Sequence, residues 1–171
     1  MLIAVRHAMP AFDPRTPPDT WPLTDDGRAT AQALAGVLPA DSRLVASGEL
    51  KARQTLEPSG PVVVDPRFNE VARVEPRDGD FRRRRREYVE GVDHTGWEPR
   101  TQLAARFEAA LADHLALAER RPLIIATHGM ALTIWLTART GLPHPGVFWS
   151  DLRFPDALRV DLAEKTITRI Q

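Results

Sequence analysis

Two histidines in this chain follow apolar runs directly: His7 comes after Leu2–Val5 and Arg6, and His128 after Leu123–Ala126 and Thr127. Between them, Ser47 and Lys51 follow a third strand candidate, Arg43–Ala46, and Glu70 comes soon after a fourth, Val62–Val64. Two imidazoles, two cations and one carboxylate thus fall beyond strand ends, where open α/β sheets bind their ligands. The set suits phosphoryl chemistry. A neutral imidazole is a good nucleophile toward phosphorus, and the neighbouring Arg6 can grip phosphate oxygens with a planar fork of donors. A phosphoryl group carries about −1.5 to −2 charge and three strong acceptors, so donors must converge on it from several elements. His128 precedes an expected helix whose free N–H groups can join that cradle. Glu70 can protonate a leaving alkoxide and then deprotonate a water, a role worth roughly 10²–10⁴-fold in rate.

The elements that must position these residues are readable in turn. Leu2–Val5 and Leu123–Ala126 are continuous apolar runs, as expected for strands covered on both faces. Thr24 is a good N-cap for a helix carrying Leu34, Val37 and Leu38, with Asp25 and Asp26 at its positive end and Pro39 as its stop. Ser47 is the expected cap of a helix through about Leu56. Leu103, Phe107, Leu111 and Leu115 have helical spacing within a helix expected over 98–119, and Gly141 closes another that begins at Gly129. Leu158–Leu162 and Thr166–Ile170 alternate like a hairpin around Glu164-Lys165. From Val71 to Gly96 the pattern fails, and the stretch contains five consecutive arginines, Arg82–Arg86. Strands alternating with helices imply a three-layer α/β/α sandwich with a mostly parallel sheet. One domain over 1–171 is expected, with 71–97 as an irregular insertion or lid.

Composition sets the outer limits. A chain of 171 residues, 43% hydrophobic, can close a core without disulfides or metals, and it has no cysteine. Zero net charge gives no reason to expect a nucleic acid or an anionic membrane as partner. No apolar run approaches the roughly 20 residues needed to span a bilayer. The short apolar N-terminus reads as a buried strand rather than a signal peptide, so a cytoplasmic protein is the default expectation. Nothing has the spacing of a metal site such as HExxH, and no cofactor is expected. His94, His114 and His144 read as solvent or packing residues, and the four tryptophans as core or pocket wall.

Arg6-His7-Ala8 resembles the RHG motif of the histidine phosphatase superfamily, in its phosphoglycerate-mutase-like branch. Other pieces follow in the family's order. Pro22-Leu23-Thr24 with Gly27 and Gln32-Ala33 is similar to LTxxGxxQA, and Ser47 through Thr55 to SxxxRAxQT. Phe68-Asn69-Glu70 is similar to LxE, and Ala126 through Gly129 to SHG. The resemblance covers nearly the whole chain outside 71–97. It implies a phosphoglycerate mutase-like fold, a phosphorylated His7, phosphoryl contacts from Arg6 and His128, and Glu70 as proton donor.

The family's second arginine falls by ungapped alignment on Lys51, which keeps the charge but loses the fork; Arg53, two residues on, is the alternative. Ala8 replaces the usual glycine and would be strained at positive φ. Met9 stands where many members have a polar residue. The implied activity is metal-independent hydrolysis of small phosphomonoesters. Rivals are a phosphoglycerate mutase, disfavoured by the short chain and poorly matching insertion, and a phosphate-sensing or RNA-binding module without turnover. Arg82–Arg86 reads as a solvated helix face, its charge offset by Glu87 and Glu90; were it to face the site, it would favour a polyanionic substrate.

Overall fold

In the computed structural model, which describes residues 1–75 and 79–170, six strands form one sheet. Residues 76–78, inside the expected insertion, and 171 lie outside the described residues. In chain order the strands are β1 (Leu2–Arg6), β2 (Arg43–Ala46), β3 (Val62–Val64), β4 (Leu123–Thr127), β5 (Asp156–Asp161) and β6 (Thr166–Arg169). Across the sheet they run β3-β2-β4-β1-β5-β6. The first four are mutually parallel, while β5 and β6 add an antiparallel hairpin beside β1.

Alternation along the apolar strands splits the core into two layers. Leu2, Ala4, Val45 and Ile125 face one side, where Phe107, Leu111, Leu132 and Trp135 cover them. These come from helices α4 (Arg100–Ala118) and α5 (Gly129–Thr140). Ile3, Val5, Ala46 and Ile124 face the other side, against Leu34, Ala52 and Leu56 of α1 (Asp25–Ala35) and α2 (Leu50–Leu56). The result is the expected three-layer sandwich.

Details depart from the expectation for local reasons. Helix α1 is capped by Thr24, whose Oγ1 accepts from Gly27 N at 2.9 Å, but it ends at Ala35 rather than Pro39. Gly36 caps that end, and Val37 turns out to be exposed instead of joining the buried stripe. Ser47 does not cap α2; Glu49 holds the N-cap position, without a side-chain cap bond, and the Ser47 hydroxyl goes to His128.

Within 71–97 the chain forms a helix, α3 (Phe81–Glu90), started by the Asp80 carboxylate on Arg83 N at 3.0 Å and ended at Gly91. Its apolar anchors are Tyr88 and Val89, too few for a periodic signature. A further short helix, α6 (Pro145–Asp151), packs against α3 and α5.

Candidate functional site

The register of the central strands sets the site. Arg6 pairs with Thr127 across the parallel β1–β4 ladder, so His7 and His128 leave the sheet side by side, their rings 5.1 Å apart. Ala46 pairs with Ala126 one strand over, which brings Ser47 to the same edge. Both histidines are buried. His7 Nδ1 lies 2.7 Å from the Ala8 carbonyl. A carbonyl only accepts, so Nδ1 carries the proton and Nε2 keeps its lone pair. Burial holds the His7 pKa well below 6.5 and His128 depresses it further; the bond to Ala8 O raises it, and Lys51 and Arg6 lower it. His7 is therefore neutral at pH 7. Burial likewise lowers His128, to about 3.

Arg6 lies beneath Phe154, its guanidinium carbon 3.5 Å from the ring centre, and Nη1 donates to Leu152 O at 2.7 Å. Burial lowers its pKa to about 10, which still leaves it charged at pH 7. Its Nε is buried with no hydrogen-bond acceptor among the described residues. Such a donor is costly unless a ligand satisfies it.

Lys51 and Arg53 point apart. Lys51 is buried and donates to Pro18 O at 2.7 Å and to Glu49 Oε2. Arg53 stands in solvent, paired with Glu57 at 3.0 Å. Glu49 itself was not singled out from the sequence, although it lies inside the Ser47–Thr55 motif. Its Oε1 accepts from Glu70 N at 2.9 Å and lies 3.2 Å from His128 Nε2, while Ser47 Oγ is 2.7 Å from that same nitrogen. One buried carboxylate thus ties Lys51, His128 and the Glu70 backbone together. Phe154, also missed, comes from the far end of the chain and carried no local signal.

Glu70 reaches the site differently from the expected helix cradle. Its Oε1 accepts from Ala131 N at 2.8 Å and Val71 N at 3.1 Å, and Oε2 from Met130 N at 3.2 Å. Two of the free N–H groups of α5 are therefore taken by Glu70 rather than left for an anion. The negative charge of the carboxylate meets the positive end of the helix, which explains the preference.

The loop after His7 is pinned by close backbone contacts. Ala8 N donates to Thr55 Oγ1 at 2.9 Å, and Thr24 N to Met9 O at 3.0 Å. Ala8 is not among the residues with positive φ, so its methyl carries none of that strain and packs with Leu23 and Ala31. Gly27 is required here: a Cβ would stand 2.3 Å from Met9 O. Among the described residues no cluster of three or more metal-binding side chains occurs, and no helix is long and apolar enough to cross a membrane.

A sequence profile of the histidine phosphatase superfamily (branch 1) matches residues 2–160. The chain belongs to that superfamily, and with it to the enzymes that hydrolyse phosphate esters. Its fold is similar to that of a mycobacterial glucosyl-3-phosphoglycerate phosphatase, with 24% identity over 92% of this chain and 87% of that one, at a TM-score of 0.68. It is also similar to YhfR of Bacillus stearothermophilus, with 19% identity, 98% and 94% coverage and a TM-score of 0.71. A third similar structure, from Thermus thermophilus, shares 22% identity, 99% and 98% coverage and a TM-score of 0.66. No curated protein sequence matches the chain.

Proposed function

We propose that the enzyme is a metal-independent phosphatase that hydrolyses small phosphomonoesters through a phosphohistidine on His7. The observation that carries this reading is the Nδ1–H bond to Ala8 O, which leaves the lone pair of a neutral imidazole at Nε2, next in sequence to an Arg6 whose buried Nε has no acceptor among the described residues. His7 Nε2 attacks phosphorus and the ester P–O bond breaks. Glu70, a carboxylate at rest, takes up the proton of the bound phosphomonoester monoanion and gives it to the leaving oxygen. Oε2 is the oxygen to carry that proton, because it accepts one backbone N–H where Oε1 accepts two. Water then attacks the phosphoryl group as Glu70 takes back a proton, the N–P bond breaks, and inorganic phosphate leaves. Arg6 and Lys51 offset the charge on the transferring group, where most catalysis of this reaction type lies, and His128, neutral at rest, is drawn toward its charged form by the bound anion. The similar mycobacterial phosphatase has been solved with inorganic phosphate and with VO3, in keeping with a pocket for small phosphorylated substrates.

The test is to trap the intermediate. With ³²P-labelled phenyl phosphate in EDTA, label should survive an alkaline quench and be lost in acid, as for an N–P bond. His7→Ala should remove both label and turnover while circular dichroism stays native. Label persisting in that variant would overturn the assignment of the nucleophile.

A further inference from the structure

Beside the reaction centre lies a cavity of about 330 Å³, within the range of small-molecule sites. Its walls include Arg6, Trp149 and Phe154, together with Arg82 and Arg85 from α3. Trp149 ties it to the phosphate side. A Cβ placed on Gly129, the residue after His128, would stand 3.1 Å from Trp149 Nε1 and 3.4 Å from Arg6 Nε. The cavity and the candidate reaction centre therefore share Arg6 as a common wall.

We infer that this cavity binds the leaving group of the substrate, and that Arg82 and Arg85 hold a second anionic group on it. The inference rests on the phosphatase reading above. Charge and shape carry it. Arg85 binds Glu75 through Nε at 2.7 Å and Nη2 at 2.5 Å, which leaves Nη1 as its remaining donor edge. Arg73 shares that same carboxylate at 3.1 Å, so the group of three keeps a net positive charge. Arg82 has no ion-pair partner among the described residues. Arg82 can hold a carboxylate or a phosphate through paired hydrogen bonds, and Arg85 can add its remaining Nη1. The aromatic and apolar walls, Trp149 and Phe154, suit a short carbon body between the two anions. The ligand class is thus a phosphomonoester with a second anion a few bonds away.

The test compares matched pairs that differ by one anionic group. For a carboxylate the pair is 3-phosphoglycerate against glycerol 3-phosphate; for a second phosphate it is fructose 1,6-bisphosphate against fructose 6-phosphate. At least one pair should show kcat/KM about tenfold or more in favour of the dianchored member, the size expected for hydrogen bonds to a charged group. Which pair shows it identifies the anion. Arg82→Ala should cut that ratio about tenfold and Arg82→Glu further, and Arg85→Lys should cut it less. Calorimetric Kd values for the same pairs on His7→Ala protein read the ratio without turnover. Ratios near one in both pairs, or a ratio that Arg82→Ala and Arg82→Glu leave within twofold, would overturn the inference. Absence of turnover on every substrate, with the binding ratio intact, would instead strike the hydrolytic reading and leave the second-anion site standing.

Discussion

At the ends of β1, β2 and β4, His7, Ser47, Lys51 and His128 are all buried, and each is held by partners within one hydrogen-bond length. Along α3, a short distance away, Arg82, Arg83 and Arg86 stand in solvent, and ion pairs such as Arg83–Glu87 close on the same helix. The first region takes its geometry from strand register, which leaves little freedom once the core is packed. The second takes its place from two buried residues and a set of exposed charges. A rigid reaction centre beside a weakly held charged wall lets one chemistry be kept while the leaving group it accepts is varied. Perturbations of the charged side chains in the two regions should therefore differ in size by an order of magnitude.

The largest effect is expected at the Glu49–Lys51 pair. Lys51→Ala leaves a carboxylate buried and unpaired beside the position of an incoming phosphoryl group. Breaking a buried pair from one side costs about 3–5 kcal/mol, and loss of one charge-stabilising donor costs about 10²–10³ in rate. Lys51→Met combined with Glu49→Gln should recover most of the thermal stability without recovering activity on phenyl phosphate. Additive stability losses in thermal melts of the double variant would show that the two groups do not act as a pair. Arg53→Ala, on the same helix but facing solvent, should change activity less than twofold.

Comparable in size is an acid dependence from the buried histidines. The folded pKa of His128 is about 3, against 6.5 when exposed, and His7 is lowered in the same direction. Between those values the unfolded chain binds more protons than the folded one. Stability therefore falls as pH drops below about 6.5, by up to about 1.4 kcal/mol per pH unit for each histidine, and the loss levels off below the folded pKa. Thermal melts from pH 7.5 to 4 should show this slope, and His128→Asn should make it shallower. Saturating inorganic phosphate should flatten it too, because an anion between the two rings favours their charged forms. A melting temperature unchanged from pH 6.5 to 4.5 would mean that the rings are not as dry as their burial implies.

The central strands, α5 and the hairpin were legible in the sequence because unbroken or alternating apolar runs leave little choice of structure. The residues at their ends were legible for the same reason: once β1 and β4 lie in parallel register, His7 and His128 must be neighbours. What escaped was whatever depends on contacts between distant segments. Glu49 lies next to Ser47 in a motif, but its bonds to Glu70 N and His128 exist only after three loops meet. The occupation of α5 by Glu70 could not be told from the helix N-terminus alone, which offers N–H groups to any anion within reach. Helix α3 was legible only as a solvated helix face at Arg82–Arg86; its bounds escaped because Tyr88 and Val89 alone are buried along it, too few to give an apolar period.

The smallest effect belongs to those α3 charges. The helix opposes its own dipole: arginines fill its first half, where the positive end lies, and Glu87 and Glu90 fall toward its negative end. Its ion pairs, Arg83–Glu87 at 3.1 Å and Arg86–Glu90 at 2.9 Å, run in the less favourable order and are substantially exposed. Such pairs are worth roughly 0–0.5 kcal/mol each. Tyr88 is fully buried, packs its ring 5.1 Å from Trp97 and donates its hydroxyl to Glu98 O at 3.0 Å. Arg83→Ala should therefore shift the melting temperature by no more than a degree or two, and 0.5 M NaCl should do the same to the parent protein. Tyr88→Ala should cost about 3–5 kcal/mol, as for other buried aromatic truncations. Equal losses from Arg83→Ala and Tyr88→Ala would mean that charge, not burial, seats α3 against α6, and the contrast between the two regions would fail.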